Sequence, residues 1–215
     1  MPTRVLIVDD HPAVREGLSV RISSQTDMEV CGEADDVADA LERFEALHPD
    51  LVVVDIQLKT GDGLDLVKRI KSRDRNTRIL VWSMYPDALY APRALHAGAL
   101  GYINKDNTTG RIVDAIRHVR DGKVYLSEEM SQKLLVQTIG GNEPVSSSPI
   151  ESLSDRELEV FRLIGEGLTT SEIAKRLHLS THTIDTHRQR IKQKLSLETS
   201  GELMRAATRW MLDSE

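Results

Sequence analysis

Over its first 120 residues the chain alternates short apolar runs, rich in β-branched residues, with longer stretches of helical spacing. That alternation excludes most folds, because a strand followed by a helix and then another strand pairs in parallel and covers its sheet with helices. The strand candidates are 5–8, 29–32, 51–54, 79–82 and 101–103; the helical stretches between and after them are 14–23, 37–47, 64–71, 88–97 and 110–120. Runs such as LVVV at 51–54 are apolar at every position, as a parallel strand buried on both faces must be. A doubly wound α/β domain is therefore expected.

After Gly122 comes another helical stretch, around 128–136, and then IGGNEPVSSSPIES, whose Gly, Pro and Ser content reads as a flexible linker. Beyond it every segment has helical spacing. Ser154 with Glu157, and Thr169 with Glu172, are capping-box pairs that open two helices. The turn HLS leads to Ser180 as the cap of a third helix carrying Ile184, Ile191 and Leu195 inward. Two short helices joined by a tight turn, the second basic, make a helix-turn-helix. The expected division is 1–125 as the α/β domain, 126–152 as helical extension and linker, and 153–215 as a small all-α domain.

With 215 residues, 29% of them charged, the chain can hold two small folded domains. Its one cysteine, Cys31, excludes a disulfide framework and the cysteine-rich zinc sites. No apolar run approaches the roughly 20 residues that span a bilayer, and Asp9 and Asp10 interrupt the N-terminal apolar stretch too early for a signal peptide. A cytoplasmic protein without membrane contact is expected. The net charge of −6 argues against wholesale nucleic-acid binding, but 186–195 carries Arg188, Arg190, Lys192 and Lys194 with no acid.

The chemistry concentrates at strand ends. Asp9 and Asp10 close the first apolar run, Asp55 the third, Ser83 the fourth, and Lys105 follows the fifth. Ligands bind at that edge of an open parallel sheet. Two carboxylates about 4 Å apart repel by roughly 4 kcal/mol at an effective dielectric near 20. A divalent cation with oxygen ligands removes that penalty, and Mg²⁺ suits a site with few protein carboxylates. Such a site, with a lysine and a hydroxyl, is equipped for phosphoryl transfer onto a carboxylate, for which Asp55 is the central candidate. His11, His118, His178, His182 and His187 are scattered without ligand spacing and read as structural or surface residues.

VDD at the first strand, VVVDIQL followed by GDGL, the serine after the fourth strand and GYINK resemble the receiver domain of two-component response regulators over residues 4–122. The stretch LSDRELEVFRLIGEGLTTSEIAKRLHLSTHTIDTHRQRIKQKL resembles the LuxR-type DNA-binding domain, and together the halves look like the NarL/FixJ class. The resemblance implies a flavodoxin-like sheet of five parallel strands in order 2-1-3-4-5, with Asp55 as phosphoacceptor. It further implies Asp9, Asp10, Asp55 and the Gln57 backbone carbonyl as Mg²⁺ ligands, Lys105 as phosphoryl partner, Ser83 as hydroxyl switch and Tyr102 as aromatic switch.

On this reading the chain is not an enzyme but a DNA-binding transcription regulator, phosphorylated by a cognate sensor histidine kinase. It would act on double-stranded DNA as a homodimer, with RNA polymerase a further partner. Thr181, Thr183, Asp185, Thr186, His187, Arg188, Gln189 and Lys192 are the candidate DNA contacts, with Lys194 a further phosphate contact. Gln189 could read adenine, and the basic residues could hold phosphates. A haloacid-dehalogenase-like phosphatase is disfavoured, because the position two after Asp55 is Gln57 and cannot protonate a leaving group. Three departures stand out: Lys59 where the family usually has proline, Pro92 inside the fourth helical stretch, and Asp185 where lysine is frequent. Pro92 is expected to delay or kink that helix; Asp185 is expected to alter sequence preference.

Overall fold

The computed structural model describes residues 1–107, 110–139 and 149–212. The chain divides into two compact units, 1–136 and 137–215.

In the first unit the strands β1 (Thr3–Val8), β2 (Met28–Ala34), β3 (Leu51–Val54), β4 (Arg78–Ser83) and β5 (Gly101–Asn104) form one parallel sheet in the order β2-β1-β3-β4-β5. The expected order and direction are thus observed. Helices α1 (Pro12–Ser23), α2 (Val37–Leu47), α3 (Gly63–Arg73), α4 (Asp87–Ala97) and α5 (Ile112–Arg120) alternate with the strands. β1 and β3 sit in the middle of the sheet and are apolar along both faces. Val5 to Val8 and Leu51 to Val54 are all buried. One face of the core joins Val5, Ile7, Leu18, Ile22, Leu80 and Ile116, each worth about 1.5–3 kcal/mol on burial.

The turn after β3 is built by GDG. Gly61 has φ +86°, a left-handed conformation that suits glycine. A Cβ on Gly63 would lie 2.0 Å from the carbonyl oxygen of Asp55, so only glycine allows this approach, and its N–H donates to the Ile56 carbonyl at 2.8 Å. Between them, the Asp62 carboxylate accepts from the N–H groups of Leu64 and Asp65 and caps α3. The C-terminal end of β3 is thereby fixed where Asp55 emerges.

Helix α4 does not start late: it begins at Asp87, with Pro86 at the N-cap position and no side-chain cap bond, and runs through Pro92. The donor missing at Pro92 would have served the carbonyl of Ala88, an exposed residue whose oxygen can turn to water. After α5 the chain returns to the sheet. Tyr125 bridges to Gly101 in parallel, accepting from the Tyr102 N–H at 2.9 Å and donating to the Leu100 carbonyl at 3.0 Å. Helix α6 (Glu128–Ile139) follows, with Met130 buried. Of the stretch expected as extension and linker, residues 140–148 lie outside the described residues.

The second unit holds α7 (Asp155–Gly165), α8 (Thr170–Arg176), α9 (Thr181–Lys194) and α10 (Ser200–Leu212). Both capping boxes are formed, and Ser180 caps α9 by accepting from the Thr183 N–H at 3.0 Å. Leu158, Phe161, Ile164, Ile173, Ile184, Ile191, Leu203 and Ala207 are buried. Trp210 closes on Phe161 with ring centroids 5.7 Å apart. No described helix in either unit is long and apolar enough to cross a membrane.

Candidate functional site

Strand ends β1, β3, β4 and β5 lie side by side, so their last residues share one edge of the sheet. Asp9 and Asp55 are 1% and 4% exposed, and between them lies the ammonium of Lys105, which opens a short 3-10 turn (Lys105–Asn107) after β5. Lys105 Nζ donates to Asp9 Oδ2 at 2.5 Å and to Asp55 Oδ2 at 2.7 Å. Three residues up to 96 positions apart in sequence thus meet at one point.

The charges are unbalanced, two acids against one base, before Asp10 is counted. Burial pushes the Asp55 carboxyl above its ordinary range; Lys105 opposes that rise and Asp9 adds to it. For Lys105 burial works downward, but the carboxylates of Asp55 and Asp9 outweigh it and hold its ammonium above the usual lysine value. Asp55 is therefore costly to ionise and Lys105 is held charged. Asp55 Oδ1 is buried and accepts no hydrogen bond, a condition that folded proteins seldom leave without a use.

Asp9, Asp10, His11 and Asp55 each bring one potential ligand atom within 4.8 Å of the others. The donor set is oxygen-rich, Asp10 Oδ1 and Asp55 Oδ1 are buried without a hydrogen-bond partner, and the net charge is negative, so these residues fit a hard divalent cation. His11, which spacing alone marks as a bystander, belongs to this cluster; only the turn after β1 reveals it. Its N–H donates to Asp9 Oδ1 at 2.9 Å, and its ring Nδ1 is 2.7 Å from Asp10 Oδ1.

Above Asp55 opens a cleft of about 250 Å³ lined by His11, Val14, Gln57, Ser83, Met84, Tyr85 and Lys105. Ser83 is buried, and its hydroxyl has no hydrogen-bond partner. Gln57 pairs with Asp62 across the β3–α3 turn, and its side-chain oxygen accepts from the Tyr85 hydroxyl at 3.0 Å. Tyr102 points inward at 1% exposure and donates to the Tyr85 carbonyl at 2.6 Å. Burial raises its phenol well above the ordinary value, so it stays protonated and a donor. Tyr85, absent from the sequence-based candidates, therefore links Gln57 to Tyr102. It sits two residues past β4, in a turn where no pattern marks it.

In the second unit the candidate contacts on α9 divide. Thr181, Asp185 and Gln189 are exposed, and Thr183, Thr186, Arg188 and Lys192 are half-buried. The Thr186 hydroxyl donates to the His182 carbonyl at 3.0 Å, which ties it to its own helix. His187 leans inward with a buried, unpartnered Nδ1; burial, reinforced by Arg156, lowers its pKa and favours the neutral ring. Lys194 is exposed, but its ammonium is engaged within the unit: it pairs with Glu157 at 2.7 Å and donates to the Ser152 carbonyl at 3.0 Å. Its reach to the buried capping-box acid explains this engagement, since Glu157 is charged and needs a partner.

Residues 5–117 match the model of the response regulator receiver domain, and residues 151–207 that of the bacterial regulatory proteins of the luxR family. The chain is 34% identical over 208 residues to the oxygen regulatory protein NreC of Staphylococcus carnosus, spanning 95% of this chain and 96% of the relative. Among solved structures it resembles RcsB of Salmonella enterica serovar Typhimurium, bound to promoter P1flhDC in the presence of phosphomimetic BeF3−. That likeness has a TM-score of 0.72 and 26% identity, and covers 97% of this chain and 100% of the other. A structure of two RcsB dimers on two parallel DNAs matches with a TM-score of 0.69 and 25% identity over 95% of this chain and 98% of that one.

Proposed function

Because the chain belongs to the two-component response regulators, with a receiver domain joined to a LuxR-type DNA-binding domain, we propose that Asp55 is its phosphoacceptor and that phosphorylation controls how it binds double-stranded DNA. The phosphoryl group comes from a sensor histidine kinase. A carboxylate oxygen of Asp55 attacks phosphorus, the P–O bond forms, and the P–N bond to the kinase histidine breaks; its electron pair stays on the imidazole nitrogen, which leaves as neutral imidazole after taking a proton from solvent. The observation that carries this reading is Asp55 itself: a buried carboxylate with one oxygen unpartnered, facing a cleft beside a charged lysine.

Each neighbour has a task. Lys105 holds Asp55 now and neutralises phosphoryl oxygens once they arrive. Ser83, buried with a free hydroxyl, donates to one of them. Asp9, Asp10, Asp55 and the Gln57 carbonyl would hold Mg²⁺, which when bound would supply the remaining positive charge around the transferred group. Tyr102 responds to the movement of Ser83 and the β4–α4 turn, because its hydroxyl is bonded to that turn at Tyr85.

The output is α9. Its exposed residues Thr181, Asp185 and Gln189 face base edges, Thr186 offers its methyl to a base edge while its hydroxyl stays on the helix, and Thr183, Arg188 and Lys192 reach the phosphates beside them; His187 packs beneath. One helix reads few base pairs, so two copies bind together, as the RcsB complexes on DNA do. The division is a receiver over 1–125, a connector over 126–152 and the DNA reader over 153–215. The protein works in the cytoplasm, in contact with RNA polymerase. The test is labelling by acetyl phosphate with Mg²⁺: the wild-type chain takes up phosphate and Asp55→Asn does not. Equal labelling of both would remove Asp55 from this role.

A further inference from the structure

We propose that His11 is an additional metal ligand, which makes the acidic site favour a first-row transition ion such as Mn²⁺ over Mg²⁺. The inference rests on the reading of this edge as a divalent-cation site and adds to it which cation the site prefers. Two donors each about 2.1 Å from one ion, at right angles, stand about 3.0 Å apart. His11 Nδ1 is 2.7 Å from Asp10 Oδ1 and 3.5 Å from Asp9 Oδ1, which brackets that spacing. A second observation points to the same place: Asp55, whose Oδ1 is buried and without a partner, brings a carboxylate oxygen into the same group within 4.8 Å.

Apart from its contacts with Asp9 and Asp10, the imidazole does no work in holding the helix start. His11 occupies the N-cap of α1 but makes no side-chain cap bond there, and its side chain is 60% exposed. Its ring can therefore settle on an ion without breaking the helix start. A neutral nitrogen adds a ligand without adding charge repulsion to three carboxylates. Mg²⁺ gains little from it, because that ion prefers oxygen and keeps its waters, whereas transition ions accept imidazole readily.

Trp82 supplies a local reporter, since Lys105 Nζ lies 5.3 Å from its ring centroid and a bound cation would displace the ammonium from its present carboxylates. The experiment titrates the full chain with Mn²⁺ and with Mg²⁺, followed by Trp82 fluorescence, for wild type, His11→Ala and His11→Asn. Circular dichroism shows that each variant is folded. Mn²⁺ binding to wild type is expected to be tighter than Mg²⁺ binding. His11→Ala should weaken Mn²⁺ about tenfold and Mg²⁺ less than twofold; His11→Asn, whose side chain can cap α1, should keep the helix start without restoring Mn²⁺ preference. Electron-spin-echo spectra of the Mn²⁺-loaded wild type should carry nitrogen modulation that His11→Ala lacks. If both ions bind and their affinity ratio is unchanged in His11→Ala, or no nitrogen couples to Mn²⁺, the inference is overturned while the cation site stands. If neither ion binds the wild type, the underlying cation reading falls and takes this one with it.

Discussion

Asp55 shows how a single residue can be placed at the expense of stability. Its carboxyl ionises near 3.8 in the unfolded chain but at higher pH in the folded one, because burial and Asp9 together outweigh Lys105. The folded state therefore holds this proton more tightly than the unfolded state. Whatever stability that proton confers is lost as pH rises through the interval above 3.8. Replacing Asp55 by Asn removes the surplus negative charge and leaves Lys105 paired with Asp9. Asp55→Asn should accordingly be more stable than wild type at pH 7, by about 1 kcal/mol. The difference should shrink as pH falls from 7 toward 4, because wild-type Asp55 takes up its proton in the folded state over that interval. Urea unfolding of the receiver, followed at Trp82 at both pH values, reads this directly; a variant less stable than wild type at pH 7 would mean that the Lys105 bond outweighs the burial of charge.

Among the elements, the segment after α5 is the least expected. Sequence periodicity assigns it to no strand, yet Tyr125 pairs with the edge of β5 through two backbone hydrogen bonds, one of them to the amide of Tyr102. An edge strand presents unpaired backbone groups, and a single bridging residue covers part of that edge. The same bridge joins the backbone of Tyr102 to the start of α6, so a shift at Tyr102 would be felt where the chain leaves the receiver. Tyr125→Pro deletes the donor to the Leu100 carbonyl, and a lost backbone hydrogen bond of this kind costs about 1–3 kcal/mol locally. Hydrogen exchange at the Tyr102 amide should speed up by about tenfold or more in the variant, with the amides of β1 and β3 unaffected. Unchanged exchange at Tyr102 would show that the bridge does not hold that strand.

For the whole molecule, the claim that matters is coupling between the receiver and the DNA reader. Although the chain is acidic overall, residues 186–195 of α9 and the turn after it carry four basic residues and no acid, which suits a DNA-binding protein. Coupling between sites is typically worth about 1–3 kcal/mol, or 5- to 150-fold in affinity. Full-length protein treated with phosphodonor should bind its selected DNA at least fivefold tighter than untreated protein, and Asp55→Asn should show no such gain in the same shift assay. Equal affinity with and without donor in the wild type would uncouple the two units and leave the receiver a passive partner.

Much of this was legible before any coordinates. Strand runs apolar at both parities have one stable solution, a parallel sheet covered on both sides, and the order β2-β1-β3-β4-β5 followed from the family resemblance. Helix caps such as Ser154 with Glu157 were equally plain, because they are set by neighbours three residues apart. The acids, Ser83 and Lys105 could be placed at one sheet edge, since each follows a strand. What tertiary structure alone decided depends on side chains distant in sequence. It paired Lys194 with Glu157 and turned His187 inward. It also bonded Tyr85 to Gln57, brought His11 and the two N-terminal acids together with Asp55 and laid Tyr125 against β5. The physical reason is one of range: periodicity and capping act over a few residues of backbone, whereas charge compensation and edge pairing are settled only when separate segments come within a few ångströms.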